Sequence, residues 1–273
     1  MDKLGSSTFI FNQLDIYGAF QHISWAGFSG VELACSANLP PHIELNTDKS
    51  YINDVKATAK KHGLQLYAID AGEPAFRAQP EDEKLKAMAK LFDVAAKLGI
   101  PVVAIRSEGK ADDKEITDKL FNYVRKLTKL AESRGITVAM ECHGGHSIYN
   151  TSMLIKLIDE INSPALGANI DPSNLLRGGD DPAEAVLRLG KRVVHTHLRD
   201  CPRTVEVRAV PEQQTPGRGD IDWVKILKNL KKVSYEGALN THVLGAATYP
   251  LSRQMGIAAE GRGYLHKCLQ EVE

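Results

Sequence analysis

The sequence lacks closely spaced cysteines. Its four cysteines include no Cys-x-x-Cys pair; they are Cys35, Cys142, Cys201 and Cys268. A zinc ribbon needs such pairs, and a disulfide framework is typical of short secreted chains that are rich in cysteine. The cysteine content therefore argues against both classes and predicts reduced thiols, as in the cytoplasm.

The sequence also lacks an excess of charge and a long apolar run. Thirty-four Lys and Arg balance thirty-four Asp and Glu, which argues against a nucleic acid or a membrane surface as a partner. The first residues lack the apolar stretch of a signal peptide, and no segment approaches the ~18 apolar residues that span a bilayer. We expect a cytoplasmic protein that acts on a small molecule of little or no charge, and homo-oligomer formation stays open.

Gly-x-Gly-x-x-Gly motifs after a β-rich run are lacking, as are repeated antiparallel hairpin turns. What is present is an alternation of eight short β-rich runs with longer amphipathic segments. The β-rich runs are Leu4–Ile10, Gly30–Cys35, Leu64–Ala71, Val102–Ser107, Thr137–Glu141, Leu166–Asp171, Val193–Leu198 and Ala238–Val243. The amphipathic segments are Tyr51–Lys61, Glu81–Leu98, Asp113–Arg134, Met153–Ile161, Pro182–Leu189, Trp223–Lys231 and Arg253–Leu269.

This alternation predicts a parallel sheet with right-handed crossovers, and eight such strands close a barrel. A chain of 273 residues is long enough for one large closed core. We therefore predict an α/β fold, a single (β/α)8 TIM barrel that forms one domain over residues 1–273. A doubly wound open sheet is the competing fold, but its usual phosphate-binding turn is missing.

The connections on the two sides of the predicted strands differ. Gly63, Gly99 and Gly135 each follow a helical segment and lead directly into a strand, which is typical of a left-handed helix C-cap. The connections after the strands are longer, especially Asn38–Lys49 and Asp200–Gly219. In a parallel barrel these longer loops form the catalytic face.

Polar clusters follow four consecutive β-rich runs. They supply two carboxylates, Glu141 and Asp171, and two imidazoles, His197 and His242. A barrel gathers its strand ends on one face, so we expect these side chains to converge on one divalent metal ion. Each residue also has an alternative role. The acids could cap helices or form ion pairs, and a histidine could be a core residue, the role we favour for His195.

The same clusters match motifs of a known family. The motifs are Glu141-x-His143, Asp171-x-x-Asn174, His197-x-Arg199-Asp200 and Pro216-Gly-Arg-Gly-Asp-Ile-Asp-Trp223. On these motifs the chain resembles the sugar phosphate isomerase/epimerase family of the xylose isomerase-like TIM barrel superfamily. The resemblance implies that Glu141, Asp171 and His197 bind manganese, magnesium, cobalt or zinc. It also implies a fourth ligand on the last strand, usually a second glutamate.

His242 stands where that second glutamate is expected. Epimerases of the family use two metal-bound glutamates as a facing acid and base, and this chain keeps only Glu141. Two oxygens and two imidazoles suit manganese, iron or zinc better than magnesium. We expect one divalent ion at the site, with manganese preferred and zinc, iron, cobalt and magnesium as alternatives.

Further residues are predicted to contact the substrate. His143 is the favoured base because a neutral imidazole accepts a proton near neutral pH; a loop or outer position is its alternative. The resemblance implies a substrate-binding role for Arg203, and Asn174 stands where some relatives have histidine and could orient a hydroxyl. The remaining predicted residues lie at other strand ends and line the pocket or form an ion network; they are Arg106, Glu108 and Glu32. Asp200 is expected to anchor the long loop after it.

The predicted chemistry is proton abstraction next to a carbonyl, which a bound metal favours. We expect a metal-dependent isomerase or epimerase of a keto-sugar or cyclic keto-polyol. A lyase that dehydrates inososes or cleaves 3-keto-glycosides with one base is the alternative. Apurinic-site nucleases share the superfamily fold but need further histidines, which the runs ending near Asp70 and Ser107 do not supply. A non-catalytic sugar-binding barrel is the remaining alternative.

Overall fold

Eight parallel β-strands close into a barrel. The computed structural model describes residues 3–35, 42–45, 47–72, 80–107, 109–203 and 210–272. Each strand pairs in parallel with its neighbours in the sequence, and β1 also pairs with β8. The strands are β1 Leu4–Ser7, β2 Gly30–Ala34, β3 Gln65–Gly72, β4 Val102–Arg106, β5 Thr137–Glu141, β6 Leu166–Ile170, β7 Val193–Leu198 and β8 Leu239–Thr241. The predicted (β/α)8 TIM barrel is confirmed.

Helices connect the strands. They are α1 Ile16–Trp25, α2 Lys49–Lys61, α3 Glu81–Leu98, α4 Lys114–Glu132, α5 Thr151–Ile161, α6 Pro172–Arg177, α7 Pro182–Leu189, α8 Pro211–Gln214, α9 Trp223–Lys232 and α10 Leu251–Gln270. The seven predicted segments are all helical, with ends that differ by at most two residues, whereas α1, α6 and α8 are additional. Within the described part of the chain, no helix has the length and apolar character needed to cross a membrane.

Helix α1 forms although its sequence has weak helical propensity. Gly18 and several aromatic and β-branched residues disfavour a helix locally. Asp15 compensates at the first turn, where its carboxylate accepts a hydrogen bond of 2.7 Å from the Gly18 amide. Burial of one face supplies further stabilisation; the buried residues are Ile16, Ala19, Phe20 and Ile23.

Strand β1 ends earlier than its β-branched sequence predicts. Thr8 begins a short 3-10 turn directly after Ser7. The Thr8 hydroxyl accepts a hydrogen bond of 2.9 Å from the Ala34 amide at the end of β2 and lies 2.8 Å from Nδ1 of His42. A side chain thus replaces the backbone acceptor at this point of the ladder, and the chain turns away from the barrel.

The two ends of the barrel carry different loops, as predicted. Gly63, Gly99 and Gly135 follow helices with positive φ angles of 67°, 76° and 66°, a conformation that residues with a Cβ atom adopt at a cost. These glycines permit short connections at the amino-terminal ends of the strands. The longer connections lie at the carboxyl-terminal ends.

Asp200 anchors the long loop after β7. Its Oδ1 accepts hydrogen bonds from the backbone amides of Cys201 at 2.9 Å and Ile221 at 3.3 Å. Its Oδ2 accepts from the Gly217 amide and from the Trp223 indole, both at 2.8 Å. One buried carboxylate therefore fastens both ends of the loop, which supports the structural role expected for Asp200.

A row of polar side chains faces the barrel interior. In the strand register Arg106 pairs with Glu141, and Glu141 with Asn169. Asn169 pairs in turn with His195. Neighbours in register point to the same face of a sheet, and His195 hydrogen bonds across the barrel with Glu32 of β2. The interior of the barrel is therefore polar toward the end where the site lies.

Candidate active site

Three predicted metal ligands meet at the carboxyl-terminal ends of their strands. Glu141 is the last residue of β5, Asp171 follows β6, and His197 lies near the end of β7. One ligand atom from each residue lies within 4.8 Å of the ligand atoms of the other two, and all three residues are buried. The parallel barrel thus brings together side chains that are distant in the sequence.

Glu141 is held by three polar contacts. Its Oε1 accepts a hydrogen bond of 2.7 Å from the Asn174 amide, and its Oε2 accepts one of 2.8 Å from the Asn169 amide. Oε2 also lies 2.6 Å from Nδ1 of His197. Burial favours the neutral acid, but His197 and the Arg106 guanidinium outweigh burial and hold the pKa of Glu141 below its ordinary value.

Asp171 caps α6 and also faces the cluster. Its Oδ1 accepts hydrogen bonds from the backbone N–H of Asn174 at 3.0 Å and from the Ser173 hydroxyl at 2.7 Å. Its Oδ2 accepts one of 2.6 Å from Arg199, whose Nε donates to Ser173 at 2.8 Å. Burial raises the pKa of Asp171, although Arg199 acts in the opposite direction. The capping role and a role as ligand are therefore compatible.

His197 lies between two carboxylates. Its Nδ1 faces Glu141, and its Nε2 lies 3.0 Å from Oε2 of Glu32. Burial disfavours the charged imidazole, but the two carboxylates outweigh burial and raise the pKa of His197 well above its ordinary value. Without a cation, a protonated His197 compensates the two acids.

His242 lies one residue beyond β8, near His197 and Asp70. The ring centres of His197 and His242 are 4.1 Å apart, and His242 Nε2 lies 3.4 Å from Oδ2 of Asp70. Ligand atoms of these three residues form a second group within 4.8 Å. His242 therefore joins the first cluster through His197.

Both ring nitrogens of His242 are buried, and neither has a hydrogen-bond partner among the described residues. Burial and the positive charges of His197 and Arg199 lower the pKa of His242 well below its ordinary value, so its imidazole is neutral. A neutral imidazole has one N–H donor and one nitrogen lone pair; leaving both buried without partners is costly, and the lone pair suits coordination of a cation. The carboxylate and imidazole donors at this end of the barrel therefore fit a divalent metal such as manganese or zinc.

Sequence comparison shows the family. The model of the xylose isomerase-like TIM barrel matches residues 20–264 of the chain. The chain belongs to this family. Its membership agrees with the closed barrel and with the resemblance carried by the motifs around the site.

Relatives in the xylose isomerase-like family catalyse more than one reaction. An inosose dehydratase from Clostridium perfringens is 26% identical over 246 residues, which cover 78% of this chain and 77% of that protein. A D-psicose 3-epimerase from Enterocloster bolteae is 24% identical over 233 residues, covering 79% of this chain and 72% of that protein. These relatives support an enzyme and leave open whether it is an epimerase or a lyase.

Solved structures share the fold of this family member. The crystal structure of a D-tagatose 3-epimerase-like protein has a TM-score of 0.79 at 19% identity, and the match covers 99% of this chain and 98% of that one. At this level of identity the likeness extends to the fold alone.

The other predicted site residues lie around the cluster. His143 is half-buried in the loop after β5, where its ring stacks on that of His146 with centres 4.4 Å apart. Burial lowers the pKa of His143 to about 4. Arg106 is the last residue of β4, and its buried Nε has no hydrogen-bond partner among the described residues. Glu108 lies outside the described residues.

Arg203 lines an open cavity at the mouth of the barrel. The cavity has a volume of about 560 Å³ and is built by the end of α6 and by the loops that follow β5 and β7. Its lining residues are Gly144, Gly145, Leu176, Arg177, Cys201, Pro202 and Arg203. Asn174 lies deeper and donates to Glu141, so its amide orients a predicted ligand.

Three residues of the site are not among those that the sequence predicts. Asp70 and Asn169 lie inside β3 and β6, and Arg199 stands two residues after His197. A single polar residue in an otherwise apolar strand can indicate a site residue, although the signal is weak. Asn169 within Leu166–Ile170 carries that signal. The alternation of β7 similarly places His195 on the same face as His197, and it is buried against Glu32 as a core residue.

Proposed function

We propose that the protein is a divalent-metal-dependent isomerase or epimerase of a keto-sugar or cyclic keto-polyol. The observation that carries the proposal is that buried Glu141, Asp171 and His197 meet at the ends of three consecutive strands, with His242 next to His197 after the fourth. Relatives named as sugar epimerases and inosose dehydratases support a small carbohydrate as the substrate.

The ligands would be Glu141, Asp171, His197 and His242, and manganese is the preferred ion, with zinc, iron, cobalt and magnesium as alternatives. A divalent ion supplies positive charge that polarises a substrate carbonyl and acidifies the adjacent C–H bond. Asn174 and Arg199 hold Glu141 and Asp171 in place before the substrate arrives. This preorganisation is the chain's own contribution to stabilising charge in the reaction.

His143 is the proposed base. Burial lowers the pKa of His143 to about 4, so its imidazole is neutral at pH 7 and has a lone pair that can accept a proton, although the lowered pKa also makes it a weaker base. Glu141 is the alternative acceptor, and its hydrogen bonds keep it ionised. Arg203, Asn174, Arg106 and Glu108 are proposed to bind the hydroxyl and carbonyl groups of the substrate.

A lyase of the same superfamily is the second candidate. The specific observation in its favour is that β8 leads to an imidazole, His242, with no partner for either ring nitrogen among the described residues. An epimerase that moves a proton between two faces of a carbon needs two acid–base groups, whereas an elimination needs one base and a leaving group. The similarity to an inosose dehydratase also favours this candidate.

Incubation of the manganese-loaded protein with ketoses, inososes and 3-keto-glycosides in D₂O tests both candidates. We expect deuterium to enter the carbon next to the carbonyl and an isomeric product to form without loss of a group. Release of water or of an aglycone would assign the lyase instead. A protein that binds no stoichiometric metal and exchanges no deuterium with any of these substrates would contradict both.

A further inference from the structure

Glu32 is a fully buried carboxylate that the proposed reaction does not use. It lies on β2, across the barrel from β7, and its side chain is 0% exposed. Its Oε2 lies 2.5 Å from Nε2 of His195 and 3.0 Å from Nε2 of His197. A carboxylate oxygen accepts hydrogen bonds, so both imidazole nitrogens donate to it. One oxygen atom therefore holds two histidines of the same strand.

This contact decides which nitrogen of His197 faces the predicted metal ligands. Nε2 points into the barrel toward Glu32, while Nδ1 lies 2.6 Å from Oε2 of Glu141. A nitrogen that donates its hydrogen to a carboxylate has no lone pair to give to a cation. Nδ1 is therefore the nitrogen of His197 that can bind a cation together with Glu141 and Asp171.

We propose that Glu32 is a positioning residue of the metal centre. By accepting the Nε2 hydrogen of His197, it directs Nδ1 toward the ion, and His195 holds the Glu32 carboxylate from the other side. This inference rests on the metal site of the proposed function. Histidine ligands commonly donate their second N–H to a carboxylate, and removal of such a partner weakens metal affinity about 10–100-fold.

Packing alone does not account for Glu32. Its Oε1 is buried without a hydrogen-bond partner among the described residues, so its burial is only partly compensated. Buried ionic groups of this kind are often no more stabilising than apolar residues of similar volume. An orienting role toward His197 gives the carboxylate a function that a well-packed leucine could not supply.

Two variants separate position from charge. Glu32→Gln keeps the shape and removes the charge, whereas Glu32→Asp keeps the charge and withdraws the carboxylate by one methylene group. We expect both to weaken Mn²⁺ binding about 10–100-fold in calorimetric titrations. In Zn²⁺-loaded protein, ¹⁵N spectra of the histidine rings should show His197 bound through Nδ1 in the wild type and a mixture of Nδ1 and Nε2 in both variants.

Asp200→Asn is the matched control, because Asp200 is also a buried carboxylate but accepts from the loop after β7. It should lower thermal stability and leave Mn²⁺ affinity unchanged. Wild-type affinity in both Glu32 variants, or in Glu32→Asp alone, would overturn the positioning role. A second tightly bound ion in the wild type that is lost in His195→Gln would also overturn it, because Glu32 would then itself be a metal ligand.

The outcomes also separate this inference from the proposed function. If the wild type binds no metal, both fail. If the wild type binds one ion and turns over a ketose while the Glu32 variants bind equally well, the positioning role alone fails. Should Glu32→Gln not fold, Glu32→Asp and His195→Gln complete the test, because both keep the Glu32 charge and disturb only its geometry.

Discussion

The two halves of the site differ in how completely the fold satisfies their polar atoms. Around Glu141 and Asp171 every carboxylate oxygen has a partner within 3.0 Å. Around His242 two ring nitrogens have no hydrogen-bond partner among the described residues, and Asp70 approaches only to 3.4 Å. The first half is preorganised by hydrogen bonds within the protein, whereas the ring nitrogens of the second half lack such bonds among the described residues. Substitutions in the first half should therefore cost much more stability than substitutions in the second.

The largest effect is expected for Asp171→Ala. It removes a helix cap, worth about 1 kcal/mol, and leaves the buried Arg199 guanidinium without its carboxylate, which costs about 3–5 kcal/mol. Stoichiometric manganese binding should also be lost. Urea denaturation and elemental analysis measure the two effects.

Asp181→Ala is the matched control for Asp171→Ala. Asp181 also precedes a proline and caps a helix, with Oδ1 accepting from Ala183 at 2.8 Å. It is mostly solvated and contacts Lys225. This variant should lose only about 1 kcal/mol of stability and keep its metal. Equal losses of stability in the two variants would contradict the claim that the hydrogen bonds around Glu141 and Asp171 stabilise the fold.

Asn174→Ala should have the next largest effect. The Asn174 amide donates to ionised Glu141, and loss of a hydrogen bond to a buried charged group costs about 1.5–3 kcal/mol. We expect this loss of unfolding free energy together with weaker manganese binding, because Glu141 is then less firmly oriented. Chemical denaturation and calorimetric titration check the prediction, and unchanged stability would show that Asn174 does not hold Glu141.

His242→Phe tests the second half of the site, around His242. The phenyl ring replaces an imidazole whose nitrogens have no hydrogen-bond partner in the described part of the chain, so the metal-free protein should keep its stability within about 1 kcal/mol or gain a little. Manganese affinity should fall because a ligand is lost. Measurements in EDTA and in manganese separate the two effects. A large loss of stability in EDTA would show that His242 contributes to the fold without a metal.

The smallest effect concerns pH. Because the pKa of His242 is lowered in the folded protein, the unfolded chain takes up a proton below about pH 6.5 that the folded chain does not. His242 therefore contributes stability above that pH, and this contribution is lost as the pH falls. In EDTA, the free energy of unfolding of His242→Phe should fall by about 1 kcal/mol less than that of the wild type when the pH is lowered from 7.5 to 5.5. An equal or larger loss in the variant would contradict the neutral imidazole.

Patterns local to one segment predict more of this molecule than contacts across the barrel. Glu141, Asp171 and His197 are recognisable because each lies at or next to the end of its own β-rich run, and a parallel barrel must gather such ends. The pairing of Glu32 with His195 joins residues 163 positions apart, and no local pattern indicates it. Asp70 escapes prediction for the same reason, since its role depends on His242. Helix α1 is stabilised by burial of one face, which its propensities do not reveal.

The anchoring of the long loop by Asp200 has a consequence for redesign. Both ends of the loop after β7 are tied to a single carboxylate, and Gln214 within the loop holds the backbone of Leu244 after β8. Redesign of the barrel mouth should therefore keep Asp200 and Gln214 unchanged.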